Sequence, residues 1–270
     1  DIDMYIAKGQ KYNTIEKHEN APVFKRVFDF APRGKSEIKI TAVGLYRLFL
    51  NGEELNVGKF SPYLSNPDEI VFYDVYDVSG KLKEKNNVLC VLLGNGFTNN
   101  NDFDIWKNQT APYRGAPKFD LELMSNGKIL LQSDENFLVA DSPVTFDDFR
   151  CGERYDARLE IKNVFTSVSL EGFHKSVKAE PPEGESYKNA AQPVKEYENK
   201  KAVSITKTEK GYIYDFGVND TGIPFLKINA EKGQRIDMFF GEVANDGGID
   251  MRSVSFDVSN PDYVQHDVYI

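Results

Sequence analysis

Sulfur and imidazole are scarce in this chain: 270 residues include two cysteines, four methionines, three histidines and one tryptophan. Cys90 and Cys151 cannot staple a disulfide framework, and no Cys-x-x-Cys pair exists. His18, His174 and His266 lie far apart, so no metal-ligand spacing is present. No apolar run approaches the ~20 residues of a bilayer-spanning helix. A nucleophile elbow, a P-loop and a dinucleotide fingerprint are all missing. Basic charge is in deficit, 33 Lys and Arg against 42 Asp and Glu for a net −9, which makes nucleic acid and anionic membranes poor partners. Neither an initiator methionine nor a signal peptide opens "DIDMYIAKGQ", so the chain reads as a processed fragment.

What the chain does have is aromatic residues. Its 19 Phe and 14 Tyr suit half-buried pleated surfaces, and no helical stripe competes with them. "PVFKRVFDF", residues 22–30, alternates, with Phe24, Arg26, Phe28 and Phe30 on the greasier side. Strands are expected at Ile38 to Ala42 and Leu45 to Leu50, the latter ending in Asn51-Gly52, a strong hairpin signal. Two more bracket "SGKLKEKNN", and Phe119 to Met124 should pair with Ile129 to Gln132 across a second Asn-Gly. Cys90, inside "NVLCVLLG", reads as a buried reduced thiol. The fold class expected is all-β: two successive antiparallel β-sandwich, jelly-roll-like units. An N-terminal extension covers 1–20, the first sandwich 21–180, a Pro/Glu/Lys-rich linker 181–201 and the start of a second sandwich 202–270. The last residues, "HDVYI", read as a strand with an open edge, which invites self-association.

Two stretches carry candidate chemistry. The loop over 93–121 sets Asn95, Asn99, Asn100, Asn101, Asp102 and Asp104 beside Phe97, Trp106 and Tyr113. Rings that stack on a sugar's C–H face, next to amides and carboxylates that take its hydroxyls, suit carbohydrate. Oxygens at Asn100, Asp102 and Asp104 suit Ca²⁺, although the EF-hand pattern fails; no cofactor is otherwise required. A mobile polar loop is the plainer reading. In "CGERYDARLE", Cys151, Glu153, Tyr155, Ala157 and Leu159 share one side of an extended chain, and Gly152, Arg154, Asp156, Arg158 and Glu160 the other. The plain reading is a cross-strand ion-pair ladder, worth roughly tenths of a kcal/mol per exposed pair. The alternative is ligand contact by Glu153, Tyr155, Asp156 and Arg158. Asp147 and Asp148 read as solvated turn residues. A hydrolytic pair of Glu153 with Asp156 is disfavoured, because alternation sends them to opposite faces.

The order of landmarks is informative in itself. "APVFKRVFDF", "ITAVGLYRLFLNGEEL", "FSPYLSNPDEIVFYDVYDVSGKL", "NVLCVLLGNGF", "GAPKFDLEL" and "GERYDARLE" follow one another as in the N-terminal β-sandwich module of bacterial α-L-rhamnosidases. "YIYDFGVNDTGIPFLKINAEKGQRIDMFFGEVANDGGID" resembles the start of that family's next β-sandwich. The resemblance implies a modular, bacterial, cytoplasmic or secreted glycoside hydrolase whose inverting acid and base sit on a separate (α/α)₆ barrel. It implies that this part is non-catalytic, with a carbohydrate-binding or scaffolding role in cleaving terminal α-L-rhamnosides; the alternative is a purely structural module packed on a catalytic domain. Partners implied are a rhamnose-containing glycan and that catalytic domain. Departures concern the sugar rather than the fold: Phe97 stands where the family has Trp, and Val218-Asn219 where it has Gln-Asn.

Overall fold

The computed structural model describes residues 4–10, 13, 17–30, 34–100, 110–245, 248–255 and 264–270. Its strands begin with β1 (Ile6–Ala7), β2 (Pro22–Phe28), β3 (Ser36–Val43), β4 (Leu45–Leu50), β5 (Glu53–Glu54), β6 (Ile70–Asp77) and β7 (Asn87–Gly94). Next come β8 (Lys118–Ser125), β9 (Lys128–Gln132), β10 (Leu138–Asp141), β11 (Val144–Asp148), β12 (Gly152–Tyr155), β13 (His174–Lys175) and β14 (Val177–Lys178). The last are β15 (Glu185–Lys188), β16 (Ser204–Thr208), β17 (Gly211–Asp215), β18 (Ile236–Phe239), β19 (Ala244–Asn245), β20 (Gly248–Ile249) and β21 (His266–Tyr269). Short 3₁₀ turns lie at Ala157–Leu159 and Met251–Val254.

Both Asn-Gly signals make hairpins as expected. Asn51 and Gly52 sit at φ 54° and 91°, Asn126 and Gly127 at 48° and 74°, conformations that most other residues resist. The turns return β4 to β5 and β8 to β9. Two sheets result, one in the order β14-β1-β8-β3-β6-β15 with β9 beside β8, the other β13-β10-β2-β7-β4-β5. Their facing sides share one core: Ile38, Ile40, Phe119, Leu121 and Leu123 from the first, Phe24, Leu48, Leu89, Val91 and Val139 from the second. Phe119 meets Phe24 edge-on at 5.0 Å and Phe137 at 5.7 Å, the arrangement ring quadrupoles favour. This is the expected sandwich. Cys90 is indeed a buried free thiol, on the outer side of β7 with Phe49, Val88 and the stacked Phe165. Lys25, 1% exposed, lies on that same outer side of its sheet, where the 161–173 segment covers it and Ser169 O accepts from its Nζ at 3.0 Å.

Several features depart from the sequence reading. Ile6–Ala7, within the N-terminal extension, pairs with both β8 and β14. Within the stretch read as a linker, Glu185–Lys188 runs parallel to β6, and Asn189 Nδ2 donates to Asp74 at 2.9 Å. Parallel neighbours come from segments far apart in sequence, so local pattern does not announce them. "IPFLKINA" forms no strand. Most important, β21 is no open edge. It lies between β12 and β18 in the order β11-β12-β21-β18, parallel to β12 with Arg154 opposite Val268 and Tyr155 opposite Tyr269. The edges of that sheet are β11 and β18.

The segment from 203 to 228 is different in character. It holds the β16–β17 hairpin and an extended run, and it exposes Ile205, Tyr212, Tyr214, Phe216, Ile223 and Phe225, the last at 88%. The first sandwich, by contrast, owes its stability to its own core. Phe119→Ala is expected to cost about 3–5 kcal/mol, read as a lower urea midpoint with unchanged slope.

Candidate functional site

The two candidate stretches meet through a residue that was set aside. Asn95, 2% exposed, donates its backbone N–H to Asp147 Oδ2 at 2.6 Å and its Nδ2 to Asp147 O at 2.8 Å. Asn99 Nδ2 donates to Asn95 Oδ1 at 2.6 Å, and Asn99 Oδ1 accepts from Asn13 N at 2.7 Å. Asn95, Asn99 and Asn100 are all buried. The amides proposed for sugar hydroxyls are therefore committed, at least for Asn95 and Asn99, to holding the loop against β11. Asp102, Asp104 and Trp106, with Asn101, lie outside the described residues. Tyr113 is half-buried in the returning part of the loop.

Neither Asp147 nor Asp148 is a solvated turn residue. Asp148 is buried and caps the turn, accepting from the backbone N–H of Arg150 and of Cys151, both at 2.9 Å. Asp147 is half-buried and faces Glu153 directly across the β11–β12 pair. Loss of solvent around it, offset in part by the Asn95 N–H, pushes its carboxyl up to about 6. Glu153 keeps an exposed face, but desolvation followed by the charges of Asp147 and Asp267 pushes its carboxyl up to about 7.

The expected ion-pair ladder in "CGERYDARLE" does not form. Alternation stops at Tyr155, because Asp156 caps the 3₁₀ turn by accepting from Arg158 N at 3.0 Å. Asp156 and Arg158 then pair with each other, Nε to Oδ1 at 2.8 Å and Nη2 to Oδ2 at 2.6 Å. Tyr155 OH donates to Glu160 at 2.8 Å, and its ring lies parallel to that of Tyr269 at 5.8 Å. Of the four ligand candidates here, Asp156 and Arg158 satisfy each other and Tyr155 is tied to the turn.

The sequence named Phe97 as a ring for carbohydrate, but not the aromatic group it joins at the same end of the sandwich. Phe97 packs on Phe149 at 4.3 Å, Phe149 meets Phe60 at 6.0 Å, and the Arg150 guanidinium lies 5.9 Å from the Phe97 ring centre. Phe60, Tyr63 and Phe149 are exposed. A shallow depression beside them is lined by Leu45, Pro62, Tyr63, Leu64, Phe97 and Thr98. Such a surface can stack a flat apolar face but encloses nothing. Nothing local in the sequence pointed to Phe149 or to Phe60. Among the described residues no group of His, Cys, Asp and Glu is arranged to hold a metal ion. Because Asn99 is buried with both ends of its amide bonded, Asn99→Ala is expected to cost about 1–3 kcal/mol, seen as a lower unfolding midpoint.

The comparisons extend this description. Residues 34–198 match the family profile described as the α-L-rhamnosidase N-terminal domain, and residues 205–270 that of the bacterial α-L-rhamnosidase concanavalin-like domain. A curated α-L-rhamnosidase of Formosa agariphila is 29% identical over 230 residues, which cover 80% of this chain but 24% of that protein. The chain thus spans about a quarter of that relative's length. The solved α-L-rhamnosidase of Dictyoglumus thermophilum superposes with a TM-score of 0.79 at 24% identity, covering 99% of this chain and 31% of that one. The Streptomyces avermitilis α-L-rhamnosidase, solved in complex with L-rhamnose, gives 0.79 at 21% identity, with 93% and 24% covered. At these identities the two superpositions speak for the fold alone. Since the N-terminal profile alone spans more than half its length, the chain belongs to the α-L-rhamnosidase N-terminal domain family, with a concanavalin-like stretch behind that domain.

Proposed function

We propose that this chain is a non-catalytic portion of an α-L-rhamnosidase-like glycoside hydrolase, and that its own role is to hold successive sheet units in fixed relation. The carrying observation is the mixed sheet: β11 and β12 belong to the residues matched as the N-terminal domain, while β18 and β21 belong to the concanavalin-like stretch. A shared sheet sets relative orientation through backbone hydrogen bonds, such as His266 N to Cys151 O at 3.0 Å and Ile270 N to Tyr155 O at 2.9 Å. The exposed apolar side chains over 203–228 support a second, docking part of the role, because apolar area of this kind marks interaction surfaces. A catalytic domain of the whole enzyme is the partner we assign to it, and terminal α-L-rhamnosides are the substrates we assign to that enzyme. Bond cleavage would fall to a carboxylate pair elsewhere in it, set wide enough for an attacking water.

A carbohydrate-binding role is the second reading, favoured by the exposed Phe60, Tyr63 and Phe149 at one end of the first sandwich. In this reading Ca²⁺ enters through the loop around Asn100. Calorimetry separates the two. Titration with L-rhamnose and with rhamnosylated oligosaccharides, with and without Ca²⁺, is expected to give flat heats under the scaffolding reading. Saturable heat that Phe149→Ala weakens at least roughly tenfold, about 1.4 kcal/mol, would establish the carbohydrate-binding reading instead.

A further inference from the structure

The seam between β12 and β21 gathers carboxylates from three strands. Asp147 on β11 stands opposite Glu153 on β12, a placement that brings Cβ atoms to about 4.5–5.5 Å. Asp267 on β21 accepts the Glu153 backbone N–H at 2.8 Å. Gly152, at φ 96°, permits the approach, since a Cβ there would lie 2.5 Å from Asp267 Oδ1 and 2.6 Å from His266 O. Among the described residues, two groups able to carry positive charge act on these carboxyls: Arg47 on β4 near Glu153, already engaged by Glu54 through bonds of 2.8 and 2.7 Å, and His266 near Asp267. The charged residues around the group have partners of their own, although the charge of Asp148 adds to the upward push on Asp147 and that of His266 opposes it on Asp267. Asp148 caps its turn, Arg154 lies over the Phe146 ring, and His266 bonds Asp237, which also holds Arg235.

We propose that this seam is a proton-operated latch: Asp147, Glu153 and Asp267 leave the two units joined while they are protonated and loosen the joint by mutual repulsion when all three ionise. In the folded chain each of the three carboxyls is pushed upward, first by loss of solvent; for Glu153, the charges of Asp147 and Asp267 add to it. An acid whose folded value lies above its unfolded one destabilises the fold as pH rises. The loss begins near the ordinary carboxylate range, 3.8 for Asp147 and 4.5 for Glu153, and is complete above the raised values of about 6 and about 7. The joint is therefore tightest on the acid side of neutrality.

Hydrogen exchange of the whole chain tests this, with protection at Glu153–Tyr155 and at His266–Tyr269 corrected for the intrinsic pH dependence. Between about pH 5 and about pH 8, protection at the seam should fall roughly tenfold or more, while core amides at Leu121 and Leu123 hold theirs. Glu153→Gln should flatten the profile; it leaves the His266–Asp237 pair in place and so isolates the carboxylates. Glu54→Gln, a change on an exposed strand, frees Arg47 to face Glu153 and should reduce the fall. Seam protection that ignores pH in the unaltered chain, or a fall of the same size in both variants, would overturn the proposal.

Discussion

Strand β12 is hydrogen-bonded on both sides, by β11 from its own unit and by β21 from a segment more than a hundred residues later. Everything that distinguishes this chain from a solitary sandwich depends on that double pairing. It removes the free edge from β21, brings Tyr269 under Tyr155, and places Asp267 against Glu153. It also converts "CGERYDARLE" from a stretch of alternating charge into a short strand with an abrupt stop. The stop has a clear cause: Asp156 turns the backbone into a 3₁₀ turn whose cap and ion pair it supplies alone.

The first sandwich and the material behind it are held by different means. The sandwich closes over a continuous apolar core, and its loops are tied down by buried amides such as those of Asn95, Asn99 and Asn87. Asn87 shows how much one such amide can do, since its Nδ2 donates to Lys83 O at 2.7 Å while its Oδ1 accepts from Lys83 N at 2.7 Å. The concanavalin-like stretch has strand pairing but little burial. Its order comes from backbone bonds to β12 and within its own ribbons, and apart from Val264 and Val268 many of its described apolar side chains remain at the surface. A joint made mainly of backbone bonds and a few carboxylates responds to charge more than a greasy interface does, because it has less apolar area to offset electrostatic cost.

Polar residues that look like ligand donors in the sequence are, in several cases, structural. Asn95, Asn99, Tyr155, Asp156 and Arg158 all find partners inside the chain, and buried polar groups are expected to do so. A functional reading of isolated Asn, Asp and Tyr residues therefore needs the partner list before it needs the chemistry. Phe60 and Phe149 are the converse. They drew no notice in the sequence, and they form the exposed aromatic group beside Phe97 because their strands and turns converge at one end of the sandwich.

By itself the sequence determined the local elements of the first sandwich. Period-two alternation places Ile38, Ile40, Phe119 and Leu121 on inner faces, and Asn-Gly pairs at positive φ set two hairpins; both are rules of near neighbours. The order of its landmarks also carried the family. Only the tertiary structure decided which distant strands lie side by side. Parallel pairing of β15 with β6 and of β12 with β21, the bonds from Asn95 to Asp147, and the placing of three carboxylates along one seam arise from contacts between segments far apart in the chain. Backbone N–H and C=O groups are the same at every residue, so no local pattern can name the partner a strand will take.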